Sequence, residues 1–166
     1  RGFVPNEYPD INDVDILRNL FESIQEAIEK NHILSGHDIS DGGLITCLME
    51  MAFAGNKGIV GNFDGLSALH TLFAEEAGVI IEVSTRSLDF LLDFFNSRNL
   101  SCKYIGYVTD MDLIKLTWNS TTVILNCEMT SLRDVWESTS FELELMQTNP
   151  KCVESERNVL LQSKPV

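Results

Sequence analysis

Apolar residues near the start of the chain recur at three- and four-residue steps: Ile16, Leu17, Leu20, Phe21, Ile24, Ala27 and Ile28 face one way, Arg18, Glu22, Glu26 and Lys30 the other. This predicts an amphipathic helix capped by Asn12 or Asp13, whose work is packing. A second helical stripe, Leu44, Cys47, Leu48, Met51 and Ala52, runs from a glycine pair to about Ala54, with Gly55 as its stop. The short apolar segment from Ile33 to Gly36 predicts a buried strand or turn that leads into that glycine pair. Gly58 to Phe63 predicts a strand, and Leu66 to Glu75 a short helix that carries His70 on or near its surface. In Gly78-Val79-Ile80-Ile81-Glu82-Val83 the β-branched residues follow almost without a break, which predicts a strand in a buried central position.

The spacing of Leu88, Leu91, Leu92 and Phe95 predicts another helix, with residues 97–100 as its exit. Three strand-like runs follow, 102–108, 112–118 and 121–127, and Asn119-Ser120 between the last two is short enough for a hairpin. From Thr130 the period is helical again. Thr130 or Ser131 is the expected cap, Leu132, Val135, Trp136, Phe141, Leu145 and Met146 lie near one stripe, and a break is expected at Ser138-Thr139-Ser140. Asn149-Pro150 ends that segment. The order of elements predicts an α+β fold, a mixed β-sheet with packed helices. Residues 1–12, rich in Pro, Asn and Asp, read as a connector from an upstream domain, 13–157 as the domain, and 158–166 as a linker.

Composition narrows the function classes. With 25 Asp and Glu against 12 Lys and Arg the net charge is −13. That argues against nucleic acid and against an anionic membrane surface. It also means that a polyphosphate held here needs a divalent cation or basic groups from another domain. No apolar run is long enough to span a bilayer, and no signal peptide is evident. The four cysteines, Cys47, Cys102, Cys127 and Cys152, have neither zinc-site nor disulfide-framework spacing. Free thiols in a reducing cytosol fit them. The sequon Asn119-Ser120-Thr121 falls in the predicted hairpin turn and is read as structural.

The chemistry concentrates in His37-Asp38-Ile39-Ser40-Asp41-Gly42-Gly43-Leu44. On extended backbone Asp38 and Ser40 share one side while Ile39 points inward, so carboxylate and hydroxyl converge on one ligand. Ser40 or Asp41 can cap the next helix, and Gly42 and Gly43 would leave its first amides uncovered for an anion such as phosphate. A hard oxygen ligand beside a phosphate seat points to magnesium with a nucleotide. The competing reading is a helix cap and a tight turn with no ligand. The octet has neither Walker nor dinucleotide-fold spacing.

This octet, running on through Leu48-Met49-Glu50-Met51-Ala52-Phe53-Ala54-Gly55, resembles the phosphoribosylformylglycinamidine synthase family, as do two later blocks in the same order. They are Leu72-Phe73-Ala74-Glu75-Glu76-Ala77-Gly78, and Leu132 to Phe141 with Asn149-Pro150-Lys151-Cys152 following. The resemblance implies the C-terminal, aminoimidazole-ribonucleotide (AIR)-synthase-like domain of the second of two tandem halves, with the α+β architecture of that domain type. It implies an ATP- and glutamine-dependent ligase of purine biosynthesis, which makes formylglycinamidine ribonucleotide from formylglycinamide ribonucleotide. By the same resemblance Asp38 matches a magnesium ligand and Ser40 a nucleotide contact, with His37, Gly42 and Gly43 in support. ATP or ADP and Mg2+ are then the cofactors, in the cytoplasm. The partners implied are a preceding domain that supplies the other ligands and a downstream glutaminase domain with its own catalytic cysteine. Arg133, Trp136 and Glu137 either shape a ligand site or lock the terminal helix, packing being the favoured reading, and Glu75 and Glu76 are either groups that support the site's ligands or a solvated helix end, the latter being favoured. The alternative is a structural and interaction module with an auxiliary nucleotide site, inactive in isolation.

Overall fold

The computed structural model of the chain describes residues 13–65 and 67–162; the expected connector over 1–12 lies outside them. In chain order the elements are α1 (Val14–Glu29), β1 (Ile33–Asp38), α2 (Gly43–Gly55), β2 (Gly58–Phe63), α3 (Ala68–Phe73), β3 (Val79–Val83), α4 (Leu88–Asn96), β4 (Gly106–Thr109), β5 (Ile114–Trp118), β6 (Thr122–Cys127), α5 (Met129–Gln147) and α6 (Pro150–Gln162). They form two compact units, one from residues up to Leu48 with Leu69–Tyr104, the other from Met49–Ala68 with residues from Ile105 onward. The architecture is α+β with a mixed sheet, as the sequence predicts.

In the first unit β1 pairs antiparallel with β3, Gly36 opposite Ile81 and Asp38 opposite Val79. Ile33, Ile81 and Val83 pack on a core of Ala27, Leu91, Phe95 and Leu100 from α1, α4 and the turn after α4. This corrects two expectations. The β-branched run of β3 is one half of a two-stranded ribbon rather than a central strand. The β1 segment is mostly exposed, Leu34 by 62%. The α1 stripe is also split. Leu20, Ile24 and Ala27 face the core, whereas Leu17, Phe21 and Ile28 remain exposed.

Asp13 caps α1, its Oδ1 accepting from the amides of Asp15 and Ile16. Three helices end alike, each on an asparagine in the left-handed region: Asn31 (φ +56), Asn56 (φ +49) and Asn99 (φ +60). After each, the next residue's amide reaches back to the last turn, His32 to the Ala27 carbonyl, Lys57 to Ala52 and Leu100 to Phe95. This arrangement satisfies carbonyls that a helix end otherwise leaves open, and Asn tolerates the left-handed backbone better than most residues. α2 thus ends at Gly55, as expected, with Asn56 as the left-handed residue that closes it.

The second unit is a four-stranded sheet in the order β4-β2-β5-β6, with β2 parallel to β5 and the other pairs antiparallel. Ile114 and Leu116 of β5 are fully buried. Asn119 and Ser120 join β5 to β6 with φ of +49 and +60, the left-handed pair of a type I′ hairpin turn. Asn62 Oδ1 accepts from the Ser120 amide at 2.8 Å and from Thr117 Oγ1 at 3.0 Å, tying that turn to β2. The strand expected over 102–108 is confined to β4, and α3 is shorter than the 66–75 expected.

α5 is continuous through Ser138-Thr139-Ser140, against expectation, because Ser138 Oγ bonds the Val135 carbonyl at 2.7 Å instead of competing for helix amides. The unbroken helix turns Met129, Arg133 and Phe141 inward and leaves Val135, Trp136, Leu145 and Met146 exposed, so of the predicted stripe only Phe141 is buried, with Leu132 half-buried. Its first turn is held by Asp112 from outside, whose carboxylate accepts from the Thr130 amide at 2.9 Å and from Thr130 Oγ1 at 2.6 Å. Pro150 ends one helix and begins another, with Asn149 Oδ1 accepting from the Lys151 amide. α6 packs on α5, Arg157 pairing with Asp134 at 2.6 Å, and runs on to Gln162.

Candidate functional site

β1 delivers His37 and Asp38, and the chain then leaves the ribbon. The Ile39 amide still bonds the Gly78 carbonyl at 2.9 Å, and the Ile39 side chain is half-buried against Gly78, where a Cβ would meet its Cδ1 at 2.9 Å. Asp38 and Ser40 on either side of it are exposed, Asp38 by 78% of its side chain, which is the alternation expected. His37 Nδ1 lies 2.7 Å from the Asp38 carbonyl and 3.5 Å from Asp38 Oδ1. The carbonyl can only accept, so Nδ1 carries the proton of that bond.

The turn into α2 needs both glycines, with φ of +85 at Gly42 and +73 at Gly43. A Cβ at Gly43 would lie 2.7 Å from the Phe73 carbonyl carbon and 2.8 Å from the Leu72 carbonyl oxygen, so the end of α3 closes on this turn. The amides of the two glycines themselves both have partners. The Gly43 amide donates to the Ser40 carbonyl at 2.9 Å, and the Gly42 amide donates to Glu75 Oε1 at 2.8 Å. An anion does sit at this helix start, and it is a side chain of the chain itself. Glu75 is exposed just past the end of α3, in keeping with the solvated helix end favoured from sequence, and its bond to Gly42 reaches 33 residues back along the chain.

Among the described residues no three His, Cys, Asp or Glu groups converge as a metal site. Asp38 can therefore offer a hard cation one carboxylate, and Ser40 one hydroxyl. A separate cleft of about 240 Å³ lies between α2 and α5, lined by Glu50, Phe53, Ala54, Arg133, Trp136 and Glu137. Arg133 is 4% exposed and donates to Asn56 Oδ1 at 3.1 Å, so it packs as expected. Trp136 is 52% exposed, against the packing role expected of it, with its ring 6.3 Å from that of Phe53.

Residues 4–119 match the family described as AIR synthase related protein, C-terminal domain. The chain belongs to this family. The match contains the octet, both glycines and Glu75. Relatives include the probable phosphoribosylformylglycinamidine synthase, chloroplastic/mitochondrial, of Arabidopsis thaliana, 44% identical over 96% of this chain and 11% of that protein. The phosphoribosylformylglycinamidine synthase of Homo sapiens is 38% identical over 89% of this chain and 12% of its own length. The chain thus spans little more than a tenth of these relatives. Thermotoga maritima PurL has the same fold: its complex with ATP aligns at a TM-score of 0.63 and 15% identity, over 69% of this chain and 21% of that one. Its complex with FGAR aligns at 0.66, over 74% and 21%.

None of the four cysteines forms a disulfide, as expected. Burial pushes the Cys102 and Cys127 thiols up from their ordinary range, which keeps them protonated at neutral pH. No helix among the described residues is long and apolar enough to cross a membrane.

Proposed function

We propose that this chain is the C-terminal, AIR-synthase-like domain of the second half of a phosphoribosylformylglycinamidine synthase, and that it presents Asp38 and Ser40 to a magnesium-nucleotide site. The observation that carries the reading is the pair of exposed oxygen groups flanking half-buried Ile39 at a double-glycine turn, inside the stretch matched to the family. The relatives are named phosphoribosylformylglycinamidine synthase, and our reading of the whole enzyme is an ATP-dependent ligase that converts formylglycinamide ribonucleotide to formylglycinamidine ribonucleotide with glutamine nitrogen. PurL complexes with ATP and with FGAR support a nucleotide and that substrate as ligands of the whole enzyme.

The donor chemistry fits magnesium, since carboxylate and hydroxyl oxygens are hard ligands, and the count fits a site completed elsewhere. Mg2+ would neutralise charge on the nucleotide phosphates. Asp38 would hold the ion, Ser40 would give or accept one hydrogen bond at the nucleotide, and His37 and the two glycines would fix where those groups point. The remaining ligands are assigned to a preceding domain, reached through residues 1–12, with 13–157 as the domain itself. We assign residues 158–166, helical at first, to the path toward a downstream glutaminase domain. Four thiols outside disulfides support a reducing compartment, for which the cytosol is our reading.

That no three His, Cys, Asp or Glu groups converge among the described residues also supports the other reading, an auxiliary nucleotide site that serves assembly, with no activity or binding in isolation. The two readings separate in the full-length enzyme. Asp38→Asn keeps the side chain's shape and removes the charge a divalent ion needs, while Ser40→Ala removes one neutral hydrogen bond of about 1 kcal/mol. If the site is catalytic, Asp38→Asn lowers turnover more than melting temperature; if it is structural, the order reverses. Normal nucleotide content, stability and turnover together would reject Asp38 as a ligand.

A further inference from the structure

We propose that Glu75 is a positioning residue for the Asp38 and Ser40 site, acting through the Gly42 amide; this rests on the reading of that site given above. Three hydrogen bonds anchor the turn from Ser40 to Gly43. Inside the turn, the Gly43 amide donates to the Ser40 carbonyl at 2.9 Å. From outside, Glu75 Oε1 takes the Gly42 amide at 2.8 Å, and from the first turn of α2 Thr46 Oγ1 donates to the Gly42 carbonyl at 3.2 Å. Glu75 is itself placed by what precedes it. Leu72 is 1% exposed, and the Leu72 and Phe73 backbone stands so close to Gly43 that no Cβ fits between them. The acceptor two residues beyond Phe73 is thereby fixed relative to the turn that sets Ser40. Because Ser40 begins this turn and Asp38 lies two residues before it, a shift at Gly42 changes the spacing of the two ligand groups.

The geometry also redistributes roles within the octet. The Gly42 amide is engaged, so a nucleotide phosphate does not take it while Glu75 stays in place. The glycines then serve by their backbone shape, and the ligand-facing groups are Asp38 and Ser40. A carboxylate suits the task because an amide at the positive end of a helix donates most strongly to an anion.

The test is Mg-ATP and Mg-ADP affinity of the full-length enzyme with Glu75→Gln, Glu75→Asp and Glu75→Ala, each beside its melting temperature. Glutamine keeps an acceptor at the same reach without the charge, whereas aspartate keeps the charge and withdraws the oxygens by about one bond length. A positioning role predicts that Glu75→Gln binds within about threefold of the parent, while Glu75→Asp and Glu75→Ala each weaken binding about tenfold or more at nearly unchanged melting temperature. Restoration by the neutral variant that keeps the hydrogen bond is the signature a merely structural or metal-ligating carboxylate lacks. Parental affinity in all three variants overturns the proposal, as does a Gln variant as weak as Ala beside a normal Asp variant. If the Ala variant fails to fold, the Gln and Asp pair alone decides. Asp38→Asn in the same series tests the underlying reading: loss there with normal Glu75 variants rejects only the positioning role, and normal affinity there rejects the site.

Discussion

Asn56 closes α2 with its backbone and holds Arg133 with its side chain, φ standing at +49 while Oδ1 accepts from Arg133 Nη1 at 3.1 Å. Asn31 has the same backbone role after α1 and is exposed. Glycine satisfies the first role of Asn56 and not the second.

The two positions should therefore respond in opposite directions. Asn31→Gly relieves left-handed strain and is expected to be neutral or to stabilise by about 0.5 kcal/mol. Asn56→Gly leaves a guanidinium that is 4% exposed short of an acceptor and should cost about 1–3 kcal/mol. Denaturant unfolding of the two variants checks this, and equal effects would show that Asn56 matters to Arg133 no more than a surface residue does.

A pH dependence follows at Glu26. Its hydrogen bonds to Lys30 first and to Arg98 second hold its carboxyl below the ordinary 4.5. A carboxylate depressed in the folded state adds stability that is fully present above the unfolded value and is lost as pH falls through the lower folded one. The melting-temperature gap between the parent and Glu26→Gln should thus be open at neutral pH and close as the pH is taken below 4.5. A gap that widens in acid contradicts the assignment.

What the sequence discloses here follows from how local each cause is. The helices α1, α2 and α4 and the β5-β6 hairpin are readable because periodicity and two turn residues decide them within a few positions. The Asn31, Asn56 and Asn99 stops were equally local and could have been read from Asn following each apolar stripe. The place of β3 was not readable, since its partner β1 lies some forty residues earlier and a β-branched run does not say how many strands flank it. The start of α5 depends on Asp112, and the Ser138 cluster breaks a helix only if its hydroxyls leave it. At the site, residue types alone placed Asp38, Ile39 and Ser40 correctly in exposure. Glu75 was legible only as a choice between a supporting group and a solvated helix end, because its contact with Gly42, 33 residues earlier, is made after folding.

The hairpin turn offers a stabilising change. Ser120 sits at φ +60, where a Cβ is strained, while its amide donates to Asn62 Oδ1. Ser120→Gly keeps that amide and completes the preferred Asn-Gly type I′ pair, so it should raise stability by about 1 kcal/mol. Ser120→Val, β-branched at the same φ, should lower it. Thermal unfolding of the pair measures both, and a loss on Ser120→Gly would place the Ser120 hydroxyl in a stabilising contact.

Three glycines around α2 should rank by what an added methyl meets. At Gly55 a Cβ finds only Lys57 Cγ at 3.7 Å, ordinary contact, so Gly55→Ala gains helix propensity of about 0.5–1 kcal/mol. At Gly42 it strikes Thr46 Oγ1 at 2.3 Å and Thr46 Cβ at 2.9 Å; rotation about χ1 moves the hydroxyl but not the Cβ, and φ of +85 is strained as well. At Gly43 it strikes the Phe73 backbone at 2.7 Å, which cannot move without shifting Leu72, itself 1% exposed. Gly43→Ala therefore adds overpacking to left-handed strain, together about 3 kcal/mol or more. It also displaces the segment that carries Glu75, so nucleotide affinity of the full-length enzyme should fall further in Gly43→Ala than in Gly42→Ala. Melting temperatures ordered Gly55→Ala above Gly42→Ala above Gly43→Ala, with affinity in the same order, are the expected result. A Gly43→Ala enzyme that melts and binds like the parent would mean that the end of α3 does not close on the turn, and that the spacing of Asp38 and Ser40 is set by β1 alone.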